Sequence, residues 1–200
     1  MYWIYNCKSN VPPYLRHDPA IQDNEGMTCM MMWTASCNSE PPNYLYHDPS
    51  IQTRDGHTCA MMWVVFHNEV PIRMRHNPSI RNANNQTCAM YWIKAHDGDV
   101  PYYLRHNPAI QDSNGWTCAM YWISRNRTEI PDYLRHNPRI RDNNGMSCAM
   151  NYIMYNVGRD IPTYLRHDTI LIDNKGRTCA DIWREKNKIP VPEYLIIETL

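Results

Sequence analysis

With 200 residues the chain is long enough for one compact domain or a short array of repeats, and 20 Lys+Arg against 20 Asp+Glu leave a formal net charge of zero. Such a balance supplies no overall field to draw the protein to nucleic acid or an anionic membrane. The longest apolar run, Cys59 to Phe66, is eight residues, far short of the roughly 20 that a spanning helix needs, and Met1 to Asn10 has none of the features of a signal peptide.

The chain opens on Met1-Tyr2-Trp3-Ile4, which returns as Met120-Tyr121-Trp122-Ile123. It is therefore expected to begin inside a helix, as a fragment or as part of a series that continues upstream. Pro12 comes next, two residues before Tyr14-Leu15. Pro holds that place again at 42, 71, 101, 131, 162 and 192. Its missing N–H is harmless at the first helical position, so a short second helix is predicted to start at each. That helix is expected to end near His17-Asp18-Pro19 and its copies, because Pro restricts the residue before it. Asn or Asp there can form a left-handed cap.

A turn follows, as in Asp142-Asn143-Asn144-Gly145. Asp and Asn bond locally to the backbone and Gly accepts positive φ; one copy carries Asn85 instead, the next most tolerant residue. Thr28, Thr58, Thr87, Thr117, Ser147 and Thr178 then read as N-caps. Each leads into an apolar first helix such as Cys148-Ala149-Met150-Asn151-Tyr152-Ile153, and a polar connector, here Asn156 to Asp160, returns to the next Pro.

Two markers keep one beat. His17, His47, His76, His106, His136 and His167 are spaced by 30, 29, 30, 30 and 31 residues, and Cys29, Cys59, Cys88, Cys118, Cys148 and Cys179 follow in register. The chain thus reads as a partial first repeat, 1–22, and repeats starting near 23, 53, 82, 112, 142 and 173. It is expected to be all-α, with about seven stacked helix-turn-helix units in one domain spanning 1–200.

Residues 142 to 150, Asp-Asn-Asn-Gly-Met-Ser-Cys-Ala-Met, resemble the ankyrin signature Asp-x-x-Gly-x-Thr-Pro-Leu-His, and Tyr164-Leu165-Arg166-His167-Asp168 falls where ankyrin repeats carry Leu-Leu-x-x-Gly. The resemblance implies an ankyrin-type solenoid of paired antiparallel helices whose turns project as fingers. The departures are consistent. Cys replaces Pro, Ala replaces Leu, Met or Asp181 replaces His, and Trp33, Trp63, Trp92, Trp122 and Trp183 stand where the family has a small Ala. The large ring is expected to refill the volume left by small Cys and Ala. A 34-residue tetratricopeptide unit lacks the Asp-x-x-Gly turn, and leucine-rich repeats need a Leu ladder that is absent.

The recurring cysteines and histidines read as structural. Packed helices lie about 8–10 Å apart, too far for column neighbours to form disulfides or share zinc. No metal, cofactor or catalytic residue is assigned, and an enzyme with a small-molecule substrate is not expected, since catalytic constellations are normally single. Reduced cysteines favour a cytoplasmic, reducing setting. Cys7 and Cys37 lie off the column and are the likelier reactive thiols. Arg16, Arg75, Arg105, Arg135 and Arg166 form a column interrupted by Tyr46. It is either a basic surface for an acidic partner or a solvated helix face, and the zero net charge favours the second.

Specificity belongs to positions that vary between copies. The residue after the turn glycine reads Met27, His57, Gln86, Trp116, Met146 and Arg177. The resemblance places it on a concave surface with one face of the first helices, at Tyr2, Met32, Met62, Tyr91, Tyr121, Asn151 and Ile182. Met62, Tyr91, Trp116 and Tyr121 are the expected hot spots. The predicted function is a protein-interaction scaffold. The alternative is a structural or self-associating segment, joined end to end through its uncapped N-terminal repeat, with charged Asp181, Arg184, Glu185, Lys186 and Lys188 marking the other end.

Overall fold

The computed structural model describes residue Ile4 and residues 11–37, 39–166 and 171–196. The N-cap and apolar segments form the six α-helices of the described residues: α1 (Cys29–Ser36), α2 (Cys59–Trp63), α3 (Cys88–Ala95), α4 (Cys118–Ser124), α5 (Cys148–Tyr155) and α6 (Cys179–Lys186). They contain no extended strand, only isolated bridges Arg81–Thr87 and Arg141–Ser147. The chain divides into two compact units, Met1–His106 and Asn107–Leu200. In the first, α1 packs on α2 and α2 on α3; in the second, α4 packs on α5 and α5 on α6.

Every α-helix starts as the cap chemistry requires. The Thr or Ser hydroxyl accepts from the amide three residues on, for example Met31 to Thr28 at 3.2 Å and Met150 to Ser147 at 3.3 Å, satisfying an orphan N–H. The helices then bury Cys, Ala, Met, Trp and Ile at matching places. The Trp rings fill core volume and also fasten the connectors. Their indole N–H groups donate to Ser39, Glu69, Glu129 and Pro190 carbonyls from Trp33, Trp63, Trp122 and Trp183, at 3.0, 2.7, 2.7 and 3.1 Å.

The second helix is shorter than the sequence leads one to expect. It is a single 3₁₀ turn of three residues in each repeat, from Pro13–Leu15 to Glu193–Leu195. The repeated Pro is not its first residue but the extended one before it, with ψ of 138 to 148°. The turn ends at Leu or Met, well before His-Asn-Pro. A period near 30 is three residues below the ankyrin consensus, and this second helix is left with less than one α-helical turn. Nor do the Asn and Asp before the second Pro form left-handed caps. Among described non-glycine residues only Asn85 and Asn126 have positive φ. Asp18, Asp48, Asn77, Asn107 and Asn137 instead accept from the amide two residues on, at 2.9–3.0 Å, an Asx-turn.

Arginine and tyrosine staple successive repeats. Arg16 Nε donates to the Val11 carbonyl, the Val11 N–H donates to Tyr44 Oη, and the guanidinium stacks 3.9 Å from the Tyr44 centroid. Arg75 with Tyr103, Arg135 with Tyr164 and Arg166 with Tyr194 repeat the arrangement at 3.6–3.9 Å. The arginine column is therefore more than a solvated face: Arg16, Arg75, Arg135 and Arg166 set their charges over aromatic rings.

The interruption at Tyr46 has a compensation. Pro41 stands in the Val11 place and has no N–H to give, and the next repeat offers Arg73 where the others have Tyr. Arg73 then lies over the Tyr46 ring at 5.4 Å, so the pair is inverted. Replacing Tyr46 with Arg sets it against Arg73 and should cost about 1 kcal/mol. Adding Arg73→Tyr should recover most of that loss in a double-mutant cycle of urea midpoints; strictly additive losses would refute the pairing. Tyr14, with no Arg on its ring among the described residues, is 81% exposed.

Candidate functional site

The recurrent Thr, His and Cys columns come together. Each imidazole Nε2 meets the cap hydroxyl of its own repeat: His47 with Thr28, His76 with Thr58 and His106 with Thr87 at 2.8 Å, and His136 with Thr117 at 2.9 Å. The carbonyl beside Nδ1 can only accept, so in the neutral ring the proton sits on Nδ1 and Nε2 accepts from the hydroxyl. Nδ1 donates to the adjacent Asp or Asn carbonyl, at 2.7 Å in His47 and 2.9 Å in His136. This is the neutral tautomer.

The next repeat's thiol also approaches Nε2. Cys29 lies 3.6 Å from His17, Cys59 4.0 Å from His47 and Cys148 3.4 Å from His136. A thiolate–imidazolium pair would be nucleophilic, but burial works the other way. It pushes the Cys59, Cys148 and Cys179 thiols up to about 12 and raises Cys88. It also lowers His76 and His136. In the Cys148–His136 pair burial therefore favours the neutral form of both groups, against a thiolate–imidazolium pair. Of the two cysteines off the column, Cys37 is half-buried just after α1, and Cys7 lies outside the described residues.

The turn tips carry the variable residues. Five tips are built by an Asx-type turn, as where Asp23 Oδ1 accepts from the Glu25 and Met27 amides at 2.9 and 2.8 Å, and in the other the Thr53 hydroxyl accepts from the His57 amide at 3.0 Å. Adjacent tips of one unit are tied by backbone, Arg54 N–H to Glu25 carbonyl at 2.9 Å and Asn174 N–H to Asn144 carbonyl at 2.9 Å. The residue after the turn is thus held on a rigid base. Met27, His57, Gln86, Trp116, Met146 and Arg177 are all half-buried, as are Met32, Met62, Tyr91 and Tyr121. Asn151 and Ile182 are buried, which removes them from the helix face predicted for binding, and Tyr2 lies outside the described residues.

In the first unit Tyr91 Oη stands 2.8 Å from His57 Nε2 and accepts from Asn82 Nδ2 at 3.0 Å. Beside this cluster, Glu25, Met27, Thr53, Asp55, His57 and Met62 line an open cleft of ≈ 320 Å³. In the second unit the Trp116 ring lies 5.1 Å from Tyr121 and 6.4 Å, edge to face, from Tyr155. The Tyr121 hydroxyl donates to Asp112 Oδ2 at 2.6 Å, and the other carboxylate oxygen takes the Trp116 amide at 2.8 Å. Asn114, Trp116, Tyr121, Asn143 and Asn144 line a cleft of ≈ 410 Å³ there.

Arg177 is engaged within the chain, bonded to Asp173 at 2.8 Å and Glu185 at 2.5 Å. Sequence reasoning missed Asn82, Tyr155 and the carboxamides of the tips. Tyr155 had a signal, because its place near the helix end varies, with Ser36, Phe66, Ala95, Arg125 and Lys186 in other copies. Asn82 had none, since it sits in the turn series beside Asp23 and Asp142.

No family model matches this sequence, and neither does any curated protein. Among solved structures, the chain is similar to the ankyrin repeat domain of Bcl-3, described as a unique member of the IkappaB protein family. The TM-score is 0.56 at 13% identity, over 83% of this chain and 82% of that one. The fold is of the ankyrin repeat type. No helix among the described residues is long and apolar enough to cross a membrane.

Proposed function

We propose that this protein is an interaction scaffold that binds another protein through its turn tips and the adjoining faces of its first helices. The observation that carries the reading is the Trp116, Tyr121 and Tyr155 cluster beside an open, carboxamide-lined cleft. The recurrent cysteines are buried, the histidines bond the helix caps and four arginines lie over tyrosines of the next repeat, whereas Trp116 is a large ring at a place that other copies fill with Met, His, Gln or Arg. Large aromatic rings anchor interfaces at low entropic cost. Met27, His57, Met62 and Tyr91 in the first unit, and Met146 in the second, extend the candidate surface. Gln86 and Arg177 contribute at its edges.

Trp116→Ala tests this. The urea midpoint should stay nearly unchanged while retention of a purified partner falls by at least tenfold, as loss of a hot spot does. Collapse of the midpoint with partner retention intact in the residual folded fraction would place Trp116 in the core and sink the proposal.

A further inference from the structure

The cleft of the first unit differs from that of the second in charge. Glu25 and Asp55 are exposed at corresponding places on successive tips, Asp23-Asn24-Glu25-Gly26 and Thr53-Arg54-Asp55-Gly56. Their backbone carbonyls are fixed by the Arg54 and Ala83 amides at 2.9 and 2.8 Å. Neither carboxylate has an ion-pair partner among the described residues. By contrast Glu69, Asp132, Asp173, Asp181 and Glu185 each meet an arginine within 3.4 Å. Met27 and Met62 line the same cleft as the two acids, with Thr53 and His57.

This combination suits one kind of side chain. Lysine and arginine lay an aliphatic stem along apolar surface while the charged head stays in contact with water and acids. Unbranched thioethers adapt to such a stem. Arg54, exposed on the second tip, is the cation of the two tips and pairs with neither acid.

We infer that the cleft seats a single lysine or arginine of a partner polypeptide, its stem along Met27 and Met62 and its charge between Glu25 and Asp55. This deepens the reading of the tips as a protein-binding surface and rests on it. The second unit's cleft, lined by three asparagines and two aromatic rings, has no charge to offer and would take a different segment.

The test uses the full chain with isotope-labelled methionine methyls and two acetylated, amidated pentapeptides, Ala-Leu-Lys-Leu-Ala and its norleucine counterpart. The lysine peptide should shift the Met27 and Met62 methyls selectively and the norleucine peptide should not. Binding should weaken about two- to fivefold for each of Glu25→Gln and Asp55→Asn. It should strengthen with Arg54→Gln and weaken with added salt. Both acids are exposed and unpaired, so the buried Met61 and Met90 methyls should report an unchanged fold. Equal binding of the norleucine peptide would overturn the charge inference while leaving the cleft a docking surface. Absence of Met27 and Met62 shifts with either peptide would overturn the seat itself, and the Trp116 experiment would then judge the wider reading alone.

Discussion

Lowering the pH from about 8 to about 5 should reduce the chain's stability, through His76 and His136 rather than its carboxylates. Four imidazoles accept a cap hydroxyl proton at Nε2 within 2.9 Å. A protonated ring carries hydrogen on both nitrogens and can no longer accept there. The sign follows from the direction of the shift. Burial lowers His76 and His136 below the ordinary 6.5, so the folded state disfavours the charged ring. The stability they contribute is complete above 6.5 and is lost as the pH falls through the lower folded value. Each hydroxyl–imidazole bond is worth roughly 1 kcal/mol, and those of His76 and His136 weaken over one window.

The carboxylates held low, Asp48, Asp173 and Asp181, titrate below 3.8 and stay charged throughout this range. Urea midpoints measured across the range should therefore drop steeply below about 6.5. In a His76→Gln, His136→Gln double variant the dependence should be shallower, because the amide oxygen still accepts but cannot be protonated. An equally steep profile in that variant would rule out these rings as the source.

Gly56→Ala should destabilise the chain by about 2–4 kcal/mol, and Gly176→Ala by only about half as much. Both glycines have positive φ, +78 and +75°, so the conformational cost of a Cβ, roughly 1–2 kcal/mol, is common to them. They differ in what lies ahead. A Cβ on Gly56 would stand 2.7 Å from Asn82 Cα and 2.8 Å from Ala83 N, backbone atoms of the next tip. The Ala83 N–H to Asp55 carbonyl bond would be strained with it. Gly176 belongs to the last tip and faces open space. Thermal or urea unfolding of the two variants separates the local backbone cost from the close approach between repeats. Equal losses would mean that the approach contributes nothing.

The terminal repeat shows how closely local chemistry follows position. The residue following Ile196 there is Ile197, where earlier copies carry His. The Thr178 hydroxyl donates instead to Asp181 at 2.7 Å, and that carboxylate also takes the Thr178 amide at 2.9 Å. A substitution that looks like surface charge in the sequence is a replacement partner for the cap.

Much of this protein was legible because its signals are local and repeated. The N-cap hydroxyls, the turn Asp and Gly, the left-handed Asn85 and the burial of the Cys, Met and Trp positions all follow from residue chemistry at fixed spacing. Repetition also marks the Cys and His columns as structural, because a catalytic group is rarely needed six times. The length of the second helix was not legible. Pro and the following Tyr-Leu suit a helix start, but whether the helix continues depends on how much chain the period leaves and on where Arg is drawn back.

The pairings between columns were hidden for another reason. Arg on Tyr, Thr on His, and the inverted Tyr46–Arg73 pair join residues 18 to 29 apart, with nothing in either residue alone to name its partner. The turn tips show the same division. The sequence by itself determined which residues vary there. Only the tertiary structure decided that Trp116 leans on Tyr155, that Arg177 is occupied by Asp173 and Glu185, and that Glu25 and Asp55 share a cleft with two methionines. Variation is a property of each position, whereas a site is a property of neighbours, and stacking the repeats is what makes them neighbours.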